Sequence, residues 1–360
     1  MKNRLITWQA LLASSLLLLF GSFTTHKQAG VAGDGKQYNA YAVVFYNLEN
    51  LFDYEDDPDN TGDDDFLPTG PYRWTQTQYE RKLDNLARVL SQLGKEVTPY
   101  GAAFFGVSEV ENRRVLEDLV LRDELKGMGL KVIHEDSPDR RGIDVAALYN
   151  PNIFTLEGYQ YHRLNWDERP DFLTRDQLHV YGHIAGERVH FIVVHWPSRY
   201  GGGTSEHLRL ATARLSKEII DGIHAEEPDA KIILMGDFND DPTNNSVTEV
   251  LNAKSIRSEV GAQGLYSPAA SLLAKGIGTL VYNNSWNFFD QMIISKGLLK
   301  EDSKLRLWKM EVFNRDFLVT QEGKRKGYPH RTFENNSFID GYSDHFPVIV
   351  YLVQERQLVN

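Results

Sequence analysis

Six places in the chain set an acid, an amide or a histidine at the edge of an apolar run. Asn47 follows Phe45-Tyr46, Glu109 follows Gly106-Val107-Ser108, and His195 follows Val193-Val194. Asp237 and Asn239 follow Met235-Gly236, Asp290 opens the run Asp290-Gln291-Met292, and Asp344-His345 precede Phe346-Pro347. Any one of these alone reads as a cap or turn residue. Taken together they read as a site. Carboxylates and an amide suit a hard, oxygen-preferring cation such as Mg²⁺ or Mn²⁺. Two histidines that titrate near neutrality can donate a proton and hold a phosphate. The chain has no cysteine and no paired-histidine spacing, which argues against a structural zinc site.

Residues at strand ends need a sheet to position them. Residues 41–47, 102–110, 144–149, 153–159, 177–184, 188–195, 231–235, 288–295 and 347–353 read as strands, being β-branched, aromatic or continuously apolar. Residues 78–93 carry apolar side chains at helical spacing up to Gly94, and residues 111–121 and 206–224 also read as helices. Strand pairs interrupt the strand–helix alternation, so mixed sheets are expected rather than a purely parallel one. In α/β sheets ligands bind where strands end. The chemical residues span nearly the whole chain after the leader, so one domain over residues 30–360 is expected.

These blocks resemble those of the endonuclease/exonuclease/phosphatase superfamily of metal-dependent phosphoesterases. The matching segments are FYNLEN (45–50), GVSEVEN (106–112), RRGIDVAALY (140–149), VVHWPSR (193–199), MGDFND (235–240), FDQMIIS (289–295) and GYSDHFPV (341–348). The resemblance implies a DNase I-like α/β fold, a four-layer sandwich of two mixed sheets flanked by helices. It implies metal binding by Glu109, helped by Asn47, with Asp344 nearby. It implies that Asp237 positions or deprotonates the attacking water, that Asn239 orients the phosphate or that base, and that His195 and His345 contact the phosphate or serve the leaving group. Asp290 would hold His345. The parts agree with what phosphate ester hydrolysis needs: neutralised charge, an in-line water and help for the leaving oxygen. Gln291 departs from the family's usual pattern. Asp144 has two readings, a residue that orients His195 or a strand-start residue.

Weaker features remain. Arg199 lies in a glycine-rich stretch just after His195 and is a candidate phosphate clamp, and Arg331 is a second one. Trp74 and Trp166 are either base-stacking or packing residues. Residues 57–62 begin like an EF-hand loop, but the twelfth position is Pro68 and not glutamate. A looser Ca²⁺ site and a solvated acidic loop are the two readings left.

Lys2 and Arg4 precede an apolar stretch from Ala10 to Phe20. That is the form of a secretory signal, expected over residues 1–29, and is too short for a comfortable membrane span. An exported, periplasmic or secreted monomer without stable membrane insertion is expected. Formal net charge is −11, which weighs against tight sequence-independent nucleic-acid binding. It does not exclude a nuclease, because a bound metal supplies local positive charge. A phosphodiester-cleaving nuclease is the first reading. A phosphatase or a phospholipid or sphingomyelin-type diesterase is the second, and a non-catalytic binding protein of the same fold is the third.

Overall fold

A computed structural model describes residues 36–58, 60–200 and 205–356. The leader expected over 1–29 lies outside the described residues. The chain runs β1 (Tyr38–Leu51), α1 (Gln76–Leu90), β2 (Ala102–Val110), α2 (Arg113–Val120), α3 (Asp123–Lys126), β3 (Lys131–Ile133), β4 (Asp144–Tyr149), β5 (Phe154–His162), β6 (Gln177–Ile184) and β7 (Glu187–His195). It continues through α4 (Glu206–Glu226), β8 (Ile232–Asp237), β9 (Leu265–Tyr266), α5 (Ala269–Leu273), β10 (Leu280–Tyr282), β11 (Ser285–Asn287), β12 (Asp290–Ser295), β13 (Leu305–Val312), β14 (Phe333–Glu334), β15 (Ser337–Phe338) and β16 (Val348–Glu355).

Two six-stranded sheets form, in the orders β13-β16-β1-β2-β4-β3 and β5-β6-β7-β8-β12-β9. Each has one parallel pair at its centre, β1 with β2 and β7 with β8, and its other pairings are antiparallel. Both sheets are therefore mixed, as expected. Alternation along the central strands explains the layers. Phe191, Val193, Ile233, Met235, Met292 and Ile294 point into the core between the sheets. Their neighbours Ile192, Val194, Ile232, Leu234 and Ile293 point outward against Ala213, Ile219, Ile220 and Ile223 of α4. A strand buried on both faces must be apolar throughout, which is why Ile232–Met235 has no polar residue. Phe104 of β2 stacks on Phe191 of β7 with centroids 4.0 Å apart, tying the sheets together.

Local signals set the element ends. Thr75 and Gln78 form a capping box, so α1 starts at Gln76, and it stops at Leu90, short of the expected Leu93. The helix expected from 111 starts at Arg113, because the Asn112 side chain caps it by accepting from the Val115 amide. No described helix is long and apolar enough to cross a membrane.

Candidate active site

Register brings the site together. His195 of β7 pairs with Asp237 of β8, and Asp237 pairs with Asp290 of β12. Register partners share a face of the sheet, so these three side chains form a row. Asn47 and Glu109 come from the ends of the parallel pair in the other sheet, where the β1–β2 register breaks between Asn47 and Leu51. His345 lies in the turn leading into β16, its amide held by the Ser343 hydroxyl, which itself donates to the Asn47 carbonyl.

Simple alternation would aim Glu109 away from the cleft. Phe104 and Gly106 face the second sheet, so Ser108 would face it too and Glu109 would not. The β2–β4 register shifts between Ser108 and Val110, and Glu109 adopts φ +60°. A bulge with a left-handed residue re-aims a side chain, and costs about 1–3 kcal/mol for a non-glycine. Glu49, Asn50 and Asn239 are also left-handed, with φ of 49°, 50° and 50°. Four of the left-handed non-glycine residues thus sit at strand ends that carry the polar groups.

The side chains interlock. The Asn47 amide donates to Asp237 Oδ2 at 3.2 Å. His195 Nε2 stands 3.7 Å from Asp237 Oδ2 and 3.9 Å from Glu109 Oε1. His345 Nδ1 meets both oxygens of the fully buried Asp290, at 2.9 and 2.7 Å. Its Nε2 faces Asp237 Oδ2 at 3.9 Å and Asp344 Oδ1 at 3.8 Å. Asn239 donates its side-chain amide to the Trp196 carbonyl, and its backbone amide to Asp237 Oδ1.

These surroundings sort the protonation states. Burial lifts the Asp237 carboxyl to about 7, although His345 opposes it. Burial pulls His345 down, but the Asp290 charge and hydrogen bond, with Asp344 and Asp237, raise it well above the ordinary imidazole value. Burial holds His195 well below that value, reinforced by Arg175, Arg141 and His345. One histidine is therefore charged at neutral pH and the other is not.

Three expectations need correction. Asp144 does not hold His195. It pairs with His134 Nε2 at 3.0 Å and accepts from the amide and hydroxyl of Ser137, because β3 brings His134 beside the start of β4. His195 Nδ1 is buried without a partner. Arg199 is not a free clamp: its guanidinium donates to the Asn239 carbonyl, Asp240 and Asn244 and lies over the Phe289 ring. It braces the left-handed turn at Asn239. Arg331 does reach the site, but it bridges Glu49 and Asp344. Trp74 is packing, fully buried and donating to the Phe52 carbonyl.

Sequence reasoning missed four groups. Glu49, buried, accepts from the Thr332 amide and from Arg331, and burial lifts it to about 7, with Asp344 adding to the rise. Lys82, fully buried on α1, donates to the Glu49 carbonyl and the Thr332 hydroxyl. Arg175 donates to the carbonyls of His195 and Trp196 and pairs with Asp139. Arg141 is half-exposed, donates to Asn50 Oδ1 and stands 3.7 Å from Glu109. The only sequence signal for Arg141 was its place in the 140–149 block.

Asp237, Asp290 and His345 bring ligand-type atoms within 4.8 Å of one another. Their atoms are already committed, since Asp290 holds His345 by both oxygens. Oxygen donors for a divalent cation also stand on Glu109, Asn47 and Asp344, where Asn47 Oδ1 accepts from the Glu49 amide and Glu109 Oε2 from the Asn50 amide. Oxygen-only donors are the set that Mg²⁺ and Mn²⁺ prefer.

The sequence profile described as the Endonuclease/Exonuclease/phosphatase family matches residues 42–354. The chain belongs to that family. The match takes in both parallel pairs and all six polar strand ends. The structure of an endonuclease/exonuclease/phosphatase family protein from Bacteroides thetaiotaomicron aligns with TM-score 0.53 and 18% identity, covering 89% of this chain and all of that one. The TDP2 of C. elegans aligns with TM-score 0.52 and 15% identity over 89% of this chain and 77% of its own. The D. rerio TDP2 complexed with a single-strand DNA product aligns with TM-score 0.52 and 12% identity, over 87% of this chain and 98% of its own. No curated protein matches the sequence. The matched family is one of phosphoesterases, and the expected two-sheet sandwich is the fold this chain shares with these structures.

Proposed function

We propose that this chain is an exported, divalent-metal-dependent phosphoesterase that cleaves a phosphodiester, with a nucleic acid as the first substrate class. One observation carries the reading. The buried Asp237 carboxylate lies within 4 Å of His195 Nε2 and of His345 Nε2, beside Glu109 and the Asn47 amide.

A base works best when its pKa lies near the working pH. Asp237 takes the proton of the attacking water as the water's oxygen bonds to phosphorus. Asn239, whose amide fixes Asp237 Oδ1, keeps the carboxylate aimed. The bond from phosphorus to the leaving oxygen breaks, and His345 Nε2–H supplies the proton or hydrogen bond that this oxygen needs. Asp290 keeps the His345 ring in one tautomer throughout. Neutral His195 faces both Glu109 and Asp237 and orients a phosphate oxygen between the two sheets. A cation held by Glu109 and Asn47 would neutralise charge on a non-bridging oxygen. Arg141 adds fixed positive charge on the same side.

Two aromatics, one close in sequence to His195 and one packed on the residue after His345, support a nucleotide substrate. Tyr200 follows the His195 segment and is 93% exposed, and Trp286 stacks on Phe346 beside His345. Aromatic faces stack on bases regardless of sequence. A phosphomonoester is the second reading, favoured by Asp344 beside His345 and by the formal net charge of −11, which disfavour a long polyanion.

Activity against single- and double-stranded DNA, RNA, bis-nitrophenyl phosphate, nitrophenyl phosphate, sphingomyelin and inositol phosphates, with Mg²⁺ or Mn²⁺ and with EDTA, separates these readings. Cleavage of nucleic acid and of the diester, abolished by EDTA, is expected. Hydrolysis of monoesters alone would replace the first reading by the second, and full activity after chelation would overturn the metal. Mass spectrometry of the exported protein tests the leader, which we expect to be absent up to about residue 29.

A further inference from the structure

A second cluster of acids lies outside the catalytic cleft, in the loop between β1 and α1. Asp63 is unusual for a carboxylate there, being 1% exposed. Its Oδ2 accepts from the Asp57 amide at 2.8 Å, and its Oδ1 is buried without a hydrogen-bond partner. Leaving a buried charged oxygen unpartnered is costly, and native structures rarely do so without an ion or water. One carboxylate oxygen from each of Asp56, Asp63 and Asp64 lies within 4.8 Å of the other two. Among the described residues no lysine or arginine bridges any of the three. Like charges at that spacing repel.

We infer that Asp56, Asp63 and Asp64 bind a Ca²⁺ ion, separate from the catalytic cation, that locks this loop onto the wall of the active site. The donors are all hard oxygens with no nitrogen or sulfur, which disfavours zinc and copper. A loop supplying three carboxylates, with carbonyls and water completing the shell, suits Ca²⁺, which is larger and less demanding than Mg²⁺. The Asp63 Oδ1 that lacks a partner gains one, and the repulsion among the three acids becomes attraction.

Loop contacts give the ion a purpose. A Cβ at Gly62 would collide with the Arg141 carbonyl, and one at Gly142 would collide with the Asn60 side chain. The loop is thus pressed against the segment whose Arg141 reaches Asn50 and Glu109. Fixing the loop fixes that arginine.

Calorimetric titration of CaCl₂ into the chelated full-length protein tests the assignment, using wild type, Asp63→Asn and Glu109→Gln. The site should bind with Kd of about 10⁻⁴–10⁻³ M, the range of partly exposed extracellular sites. Glu109→Gln should retain this binding, and Asp63→Asn should weaken it tenfold or more. Millimolar Ca²⁺ should raise the melting temperature of wild type and Glu109→Gln but not of Asp63→Asn. The double variant Asp56→Asn/Asp64→Asn alters only exposed side chains, so it folds even where Asp63→Asn does not, and the same loss is expected. Wild-type Ca²⁺ binding by either Asp variant, or Ca²⁺ binding that disappears only in Glu109→Gln, overturns the site. Neither result depends on whether the protein hydrolyses a phosphate ester.

Discussion

His345 and Asp290 act as one unit. The ring is held by both carboxylate oxygens, so its charge and its aim depend on a single partner. His345→Ala should lower kcat by about 10²-fold or more, the usual size for a lost acid–base group. Asp290→Asn should give a weaker version of the same defect. The double variant should lose little more than His345→Ala alone, because residues acting together are non-additive. Melting temperature measured on the same preparations separates this from a folding defect; wild-type specific activity in a destabilised variant would remove His345 from the mechanism. Lys82 poses the reverse case. Burial pulls it down to about 8, against the pull of Glu49. Lys82→Met leaves the Glu49 carboxylate with Arg331 and the Thr332 amide, strips the buried Glu49 carbonyl and Thr332 hydroxyl of their shared donor, and should cost about 1–3 kcal/mol in urea unfolding, as an unmade buried hydrogen bond does. An unchanged unfolding midpoint would mean that Lys82 is not needed to satisfy those two groups.

At the scale of elements, strand ends were legible and strand edges were not. The apolar runs before Asn47, Glu109, His195 and Asp237 announced central strands because both of their faces are buried. β13 escaped notice because its pattern changes parity. Leu305 and Leu307 are buried and so is Val312, with a register shift between Leu307 and Lys309. A bulge cannot be read from alternation that it breaks. β9, β10 and β11 are two or three residues long, too short to show a period. The partner of Asp144 was hidden for another reason: which strand lies beside β4 is decided by the sheet, not by the local sequence. Glu49 sat in plain view within FYNLEN, but its partner Arg331 is 282 residues away. Close approach of β7 and β8 gives an element-scale prediction. A Cβ at Gly236 would collide with the Val194 carbonyl. Gly236→Ala should therefore spread the parallel pair that carries His195 and Asp237. Unfolding should come at least about 1–3 kcal/mol sooner, as overpacking does, and activity per folded molecule should fall too. A variant with normal stability and kcat would show that the strands can shift without cost.

Over the whole molecule, a second group of histidines governs acid stability. His179 and His190 share a hydrogen bond at 3.0 Å under α4, near His162, Arg188 and Glu227. Burial, then the neighbouring His190, His162 and Arg188, depresses His179 to about 3. The unfolded chain takes up that proton near pH 6.5, so the folded state has its full advantage above that pH and loses it as pH falls toward 3. Melting temperature should decline from about pH 6.5 downward, and His179→Gln should flatten the decline relative to wild type at its own neutral value. Equal slopes in both proteins would exclude His179 as the cause. The strand order has a different consequence, in time rather than in energy. β1 pairs with β16, and Arg356 bonds to Asn39 across 317 residues of chain. Until the last strand exists, β1 has an open edge, His345 has no support, and Asp290 has no ring to hold. Contacts of such long range must overcome the entropy of loop closure before they stabilise anything, so folding should be slow. A chain growing from its N-terminus would carry most of its length without a native first sheet. It would join the two halves of its cleft only after β16 had emerged.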